Sequence, residues 1–500
     1  MILYIILIIK VEKIPIKKVP LKVIFFLGYI ITILILLKSV ITGGIGYMYD
    51  IDELFHIQLV WLYAKGFIPF MDFFTIHSPL FHKLIVPFMS SFGFKYESVL
   101  NIRIIMSAIF IFRLIITFLI VFRLYSLPVA LIFLPLFLLD PLSNFSAMQI
   151  RPDNLMMLFF ILGLFFLVFE EKRLTFYRLF TSGLFFSLSV LTSLKIAPSV
   201  LLITVFLFFT GKLNKKTLLA TIAGLILPAL IFILYFSLHN LQNEMIQQLI
   251  LDARTVNSAI LNPGKLSAYF KPDNIYLYTR PGKPLLWYFL ISLPILSLSG
   301  WLLNLYRLVK ININRFQLLL SLIFIFQIFF TLSVRSVFIQ YLLPVSWLAS
   351  LYSAYLLNFP LNLITNNSVK KIYASLITAV LLILISLSVD INYRRAKYDN
   401  PQTGENLERL WRQIPENQYV YPNLLFRPPV YPLTYGVFIG DIPPALLSRF
   451  PKISYSLEKH QVKYLLVTEY ILGFHPKEAQ DYIRKNYQKD PVSGFWLRKN

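Results

Sequence analysis

The chain has 500 residues, of which 57% are apolar and only 14% charged, and its mean hydropathy is +0.69. Those proportions exclude a soluble domain with a polar shell and predict a polytopic α-helical membrane protein. The net charge of +23 does not argue for a nucleic-acid partner, because the lysines and arginines lie in short loops between apolar runs; with no cysteine, disulfide and thiolate chemistry are excluded too.

In chain order, residues 1–20 form a basic segment read as cytoplasmic. Met1 to Ile9 is apolar but precedes Lys10, Lys13, Lys17, Lys18 and Lys22, the wrong order for a cleavable signal peptide. Eleven apolar runs then approach the roughly 20 residues that a spanning helix needs: 21–41, 100–122, 127–142, 154–169, 179–193, 196–210, 217–238, 285–305, 316–334, 340–358 and 372–390. Those near 127 and 196 are short and adjoin tight turns. The basic loops alternate consistently: Arg123, then Lys172 and Arg173 with Arg178, then Lys212, Lys215 and Lys216, then Arg307, Lys310 and Arg315, then Lys370 and Lys371 all fall on one side. Taking that side as cytoplasmic makes 21–390 a transmembrane domain of the cell (plasma or inner) membrane. It places the loop 42–99, the loop 239–284 and a C-terminal domain at 391–500 outside.

The loop 42–99 is rich in apolar and aromatic residues. Leu54, Phe55, Ile57, Val60, Trp61 and Tyr63 fit a helix lying at the membrane interface, and a second helix follows Pro79. The tail gains charge and proline, and its pattern gives a helix near 404–414, a strand at 462–468 and a helix at 476–486, together a small α/β domain. No internal repeat or low-complexity tract is present.

Asp52 and Glu53, just beyond the first run, are the leading candidate site. An acid at a helix start is favoured by the helix dipole, which accounts for one of them. Two acids plus Asp50, with His56 one turn after Glu53, make a cluster suited to hold a divalent cation or to position a base. Arg151-Pro152-Asp153 reads as ordinary helix-start punctuation, yet the topology puts Asp153 on the same face as Asp52. Lys195 and Arg335 sit alone at the outer ends of runs, where a lysine or arginine either snorkels or binds phosphate; Tyr341, in Gln340-Tyr341-Leu342-Leu343-Pro344, opens the following run. His77-Ser78-Pro79-Leu80 reads as a turn and helix start, while His82, His239, His460 and His475 show no spacing that suggests a site. Arg113 is the main charge inside a run.

Taken in order, Asp52-Glu53, Gly66-x-x-Pro69-x-x-Asp72, His77-Ser78-Pro79-Leu80, the acidic Arg151-Pro152-Asp153 loop, Lys195 and the late aromatic-proline element resemble the GT-C membrane glycosyltransferases. Within them, the likeness is to the branch of the protein O-mannosyltransferases, the lipid A aminoarabinose transferase and the RgtA/B/C/D-like enzymes, over roughly residues 20–360. The resemblance implies a transferase that takes a sugar from a polyprenyl-phosphate donor at the outer face and passes it to a glycan, lipid or protein hydroxyl. Asp52 would be the general base and give inversion. Lys195 and Arg335 would meet the phosphate, Glu53 and Asp153 would orient the acceptor or help hold a metal with His56, and Arg151, His77 and Tyr341 would support them. Whether a divalent metal takes part is left open by the resemblance. No glycine-rich phosphate loop is present, in keeping with a lipid-linked rather than a nucleotide donor. The alternatives are a transporter or flippase of lipid-linked saccharides, which predicts charges within the spans, and an outer-face sensor or assembly protein.

Overall fold

A computed structural model describes residues 19–47, 51–145, 147–168, 175–209, 215–259, 284–311, 314–334, 339–398, 412–415, 418–421, 426–428, 430, 444–467, 469–473, 475–490 and 496–499. The architecture is a helical bundle with a small sheet near the C-terminal end. The bundle comprises α1 (Val19–Ile45), α2 (Ile51–Ala64), α3 (Pro79–Phe92), α4 (Tyr96–Leu124), α5 (Leu127–Leu139), α6 (Pro141–Phe145), α7 (Pro152–Val168), α8 (Phe176–Thr192), α9 (Ala197–Phe209), α10 (Lys215–Leu238), α11 (Gln242–Ile246), α12 (Ala253–Ala259), α13 (Pro284–Ile311), α14 (Arg315–Ser333), α15 (Leu343–Leu363) and α16 (Asn367–Tyr398). Each of the eleven apolar runs falls on a helix, with ends that agree to within eight residues. Six helices among the described residues are long and apolar enough to cross a membrane, and α5, α7, α8 and α9 are shorter apolar helices.

The boundaries follow local chemistry. Ser126 caps α5 by accepting the Val129 N–H, and Asn314 caps α14 by accepting from Phe316 and Gln317. Pro79 and Pro152 sit where a missing N–H costs nothing, in the first turns of α3 and α7. α8 and α10 approach closely because each presents a glycine to the other's backbone. A Cβ on Gly183 would lie 2.2 Å from the Thr221 carbonyl oxygen, and one on Gly224 would lie 2.1 Å from that of Phe180. The main core joins Phe110, Phe133, Phe137, Phe160, Phe186, Trp347 and Tyr352 across the central helices. Arg113 is buried among them, its guanidinium 5.1 Å from the Phe110 ring and 5.6 Å from Phe137.

α2 is buried on more than one side: Ile57, Leu59, Val60, Trp61 and Leu62 are successive apolar core positions apart from Gln58, packed with Phe81 and Ile85 of α3 and Ile102 and Met106 of α4. Beyond α16 the chain forms β1 (Val420–Tyr421), α17 (Pro444–Leu447), α18 (Ile453–Lys459), β2 (Tyr464–Leu465), α19 (Glu469–Leu472), α20 (Lys477–Asn486), β3 (Tyr487–Lys489) and β4 (Trp496–Arg498). The strands lie in the order β1-β2-β4-β3, the first pair parallel and the others antiparallel. The predicted strand at 462–468 is thus shorter, and most of the predicted helix at 404–414 lies outside the described residues.

Three contacts tie this end of the chain to the first loop and to α11–α12. Phe74 enters the core formed by Tyr421, Leu457, Leu465 and Ile483. Gln58 accepts from the Phe426 N–H at 2.7 Å and donates to the Arg427 carbonyl at 3.0 Å. Arg449 holds Asp252 through 2.7 and 2.8 Å contacts. A π-helical turn, Gln247–Asp252, joins α11 to α12. Its Gln248 accepts from the Thr75 N–H at 3.1 Å and donates to the Phe70 carbonyl at 3.2 Å, so the loop between α2 and α3 rests on it.

Candidate active site

Asp52 and Glu53 occupy the first turn of α2, where the helix dipole favours acids. Consecutive residues on a helix diverge by about 100°, and the two carboxylates take opposite surroundings. Glu53 turns inward and is fully buried with Arg103 of α4: Nε meets Oε1 at 3.0 Å and Nη2 meets Oε2 at 2.5 Å. Oε1 also accepts the Ile150 N–H at 2.9 Å. The same guanidinium donates through Nη1 to the Ile45 and Tyr47 carbonyls at 2.8 and 2.6 Å, capping the end of α1. One buried pair therefore fastens α1, α2, α4 and the loop before α7 to one another.

Asp52 turns outward. Its side chain is 38% exposed, and Oδ2 lies 2.7 Å from Nη2 of Arg151, which is 5% exposed. Two residues on, Asp153 in the first turn of α7 is 2% exposed and accepts from Lys195 Nζ at 2.9 Å. Asn154 fixes this turn by donating to the Met106 and Ala147 carbonyls at 3.0 and 2.8 Å. Lys195 stands in the short 3-10 turn Leu194–Ile196 between α8 and α9, its Nζ 4.8 Å from the ring of Tyr341, which lies in the 3-10 turn Ile339–Leu342 before α15.

Beside these pairs lie three histidines. His56 Nδ1 and His82 Nε2 are 2.9 Å apart, the His56 and His77 rings are 4.9 Å apart, and Tyr63 stacks on His82 at 5.7 Å. Ser78 donates to the Leu191 carbonyl, tying this turn to α8. Burial lowers all three histidines below the ordinary value: His77 and His82 to about 3, and His56 well below 6.5. After burial, the cations of Lys195 and Arg151 oppose a proton on His77, Asp153 partly offsetting them, and His77 opposes one on His82. The trio is neutral at pH 7 and serves as hydrogen-bonding and ring-packing groups. Asp72 makes a local turn by accepting the Ile68 N–H at 2.6 Å.

The chain thus brings Asp52, Arg151, Asp153, Lys195 and Tyr341 into one connected group, with His56 and His77 alongside. Arg335 and Asp50 lie outside the described residues. Glu53, a leading candidate beside Asp52 and expected to orient the acceptor or help hold a metal, is fully buried with its carboxylate against Arg103. The four candidate metal ligands do not assemble: Asp52 faces Arg151, Glu53 Arg103, Asp153 Lys195 and His56 His82. Among the described residues no three His, Asp or Glu side chains converge in a way that holds a metal ion. Sequence reasoning passes over two members of the site. Arg103 lies inside an apolar run, where a charge is itself a functional flag, and His82 is 26 positions from the histidine that it meets.

No protein-family model and no curated protein sequence matches the chain. Among solved structures, the oligosaccharyltransferase AglB from Archaeoglobus fulgidus, in complex with an inhibitory peptide and a dolichol-phosphate, superimposes with a TM-score of 0.51 at 13% identity, over 94% of this chain and 74% of AglB. ArnT from Cupriavidus metallidurans bound to undecaprenyl phosphate gives 0.55 at 12% identity, over 79% of this chain and 83% of ArnT. The chain shares its fold with these two enzymes, as the motif resemblance to the GT-C glycosyltransferases implies. A further structure of the Archaeoglobus fulgidus oligosaccharyltransferase, holding Zn and sulfate, matches at a TM-score of 0.53 and 13% identity, over 94% of this chain and 73% of that one. The GT-C likeness extends past the residues 20–360 that carry the motif resemblance and takes in part of the C-terminal region.

Proposed function

We propose that this protein is an inverting glycosyltransferase of the cell (plasma or inner) membrane, moving a sugar, hexose or pentose, from a polyprenyl-phosphate donor to a hydroxyl acceptor on the outer face. The observation that carries the reading is a partly exposed carboxylate, Asp52, paired with Arg151 two residues before the Asp153 that holds Lys195, these residues lying at the ends of separate helices of a GT-C fold. AglB with its dolichol-phosphate and ArnT with its undecaprenyl phosphate support a lipid phosphate as the donor's carrier. The basic loops support an N-terminus inside and the C-terminal domain outside.

In this mechanism the acceptor hydroxyl, belonging to a glycolipid, lipid A, a polysaccharide or a protein, attacks the anomeric carbon from the side opposite the phosphate. Its oxygen forms the new bond to carbon as its proton passes to Asp52. The bond from carbon to the phosphate oxygen breaks, and polyprenyl phosphate leaves with the electron pair. Arg151, Lys195 and Arg335 meet the charge that grows on it. Asp153 holds Lys195, Tyr341 packs against that lysine, and Glu53 acts at one remove through Arg103 and Ile150. No step is routed through a metal.

The test compares, by mass spectrometry, the surface glycolipids, polysaccharide and glycoproteins of a strain lacking the protein and of the same strain restored with wild type or Asp52→Asn at equal membrane levels. One sugar mass should vanish in the deletion, return with wild type and stay absent with Asp52→Asn. Full restoration by Asp52→Asn removes Asp52 from the role of base.

A further inference from the structure

Three ion pairs lie at the heart of the site: Glu53 with Arg103, Asp153 with Lys195, and Asp52 with Arg151. An anionic phosphate bound against this set has to share a cation that a carboxylate already holds. The three pairs differ in what separation costs. Parting Glu53 from Arg103 strands two charges at zero exposure, and parting Lys195 from Asp153 strands an acid that is 2% exposed. Parting Asp52 from Arg151 leaves an acid whose side chain is already 38% exposed and able to take water or a hydroxyl as its new partner. The guanidinium left behind is 5% exposed and has the fork geometry that suits phosphate oxygens.

We propose that Arg151 is an exchange point. In the absence of donor it holds Asp52; the phosphate of the lipid-linked donor takes it over and turns Asp52 loose to face the acceptor hydroxyl. This rests on the transferase reading above and adds an order to it: donor first, base released second, acceptor third.

The test is binding of undecaprenyl monophosphate, with undecaprenol as the uncharged control, to the full chain in nanodiscs. Thermal unfolding of every variant verifies that it is folded. Asp52→Asn removes the competitor and is expected to tighten binding of the phosphate lipid by about two- to fivefold, the range that a partly exposed charge pair is worth. Arg151→Gln is expected to weaken binding by about tenfold, as a lost charge-assisted contact does. In the Arg151→Gln background, Asp52→Asn should add nothing, because the two residues compete through one guanidinium. The exchange is overturned if Asp52→Asn leaves binding unchanged or weaker, or if its tightening persists without Arg151, which would make it a general effect of removing negative charge. If wild type holds undecaprenyl monophosphate no better than undecaprenol, the polyprenyl-phosphate reading itself falls.

Discussion

Glu53 and Asp52 are neighbours in sequence, identical in charge and each bound to an arginine, yet one pair is sealed and the other open. Arg103 and Glu53 have no exposed surface, whereas Asp52 keeps more than a third of its side chain accessible. The difference comes from direction around the helix and from what packs there, since one step along α2 turns a side chain from Arg103 of α4 toward Arg151 before α7. A sealed pair gains little net energy from its attraction but is costly to break on one side, and so serves to fix positions. An open pair is cheap to part, which suits the role of base proposed for Asp52.

The largest effect expected from breaking this contrast is on turnover. Asp52→Asn should lower the transfer rate by about 10²- to 10⁴-fold, the usual worth of a positioned base, with an unchanged unfolding midpoint; a shifted midpoint would assign Asp52 to the scaffold instead. Next comes the sealed pair. Arg103→Leu leaves Glu53 buried without its cation and should cost about 3–5 kcal/mol of stability, while Arg103→Leu with Glu53→Leu should recover much of that loss. Thermal unfolding in detergent measures both, and a double variant no better than the single would show that the pair's hydrogen bonds to Ile150 and the end of α1 matter more than its charges.

Smaller still is the pH response of the histidines that back the site. Their folded values lie below the ordinary 6.5, so the unfolded chain takes up protons first as pH falls. The stability they allow is complete above 6.5 and declines as pH falls below it, for the buried His82 down to about 3 and by up to roughly 1.4 kcal/mol per unit. Unfolding midpoints at pH 7.5, 6 and 5 should drop in wild type and drop less in His82→Gln; equal slopes would clear His82 of the effect. The smallest change belongs to the tie between α2 and the C-terminal region. Gln58→Ala should raise hydrogen exchange at the Phe426 amide about tenfold, as loss of one hydrogen bond predicts, and an unaltered rate would show that packing alone holds that contact.

Much of this arrangement is legible in the sequence. The helices follow from run length, and isolated polar residues at one end of the runs are where an interfacial site has to be built, which is why Asp52, Arg151, Asp153, Lys195 and Tyr341 are recognisable before they are seen together. Direction around a helix is a different matter. Asp52 and Glu53 are equivalent until the neighbours of α2 are known, and their division of labour depends on Arg103 arriving from α4. Arg113, the conspicuous charge inside a run, proves to be packed against two phenylalanine rings. His82 gains its place only through the pairing of α2 with α3.

The bundle closes on itself late in the chain: Asn392 of α16 donates to Ser39 of α1, 353 positions earlier. At about 5–20 residues per second of synthesis, the first helix waits roughly 18 to 70 s for this neighbour. The Gln58 tie to Phe426 and Arg427 is later still. Throughout that interval α1 has one flank turned to lipid or to a chaperone, and the wall of the site is incomplete. A ribosome stalled late in the message therefore releases a chain that carries the residues of the candidate site but lacks the late ties on α1 and α2, a product for membrane quality control to recognise.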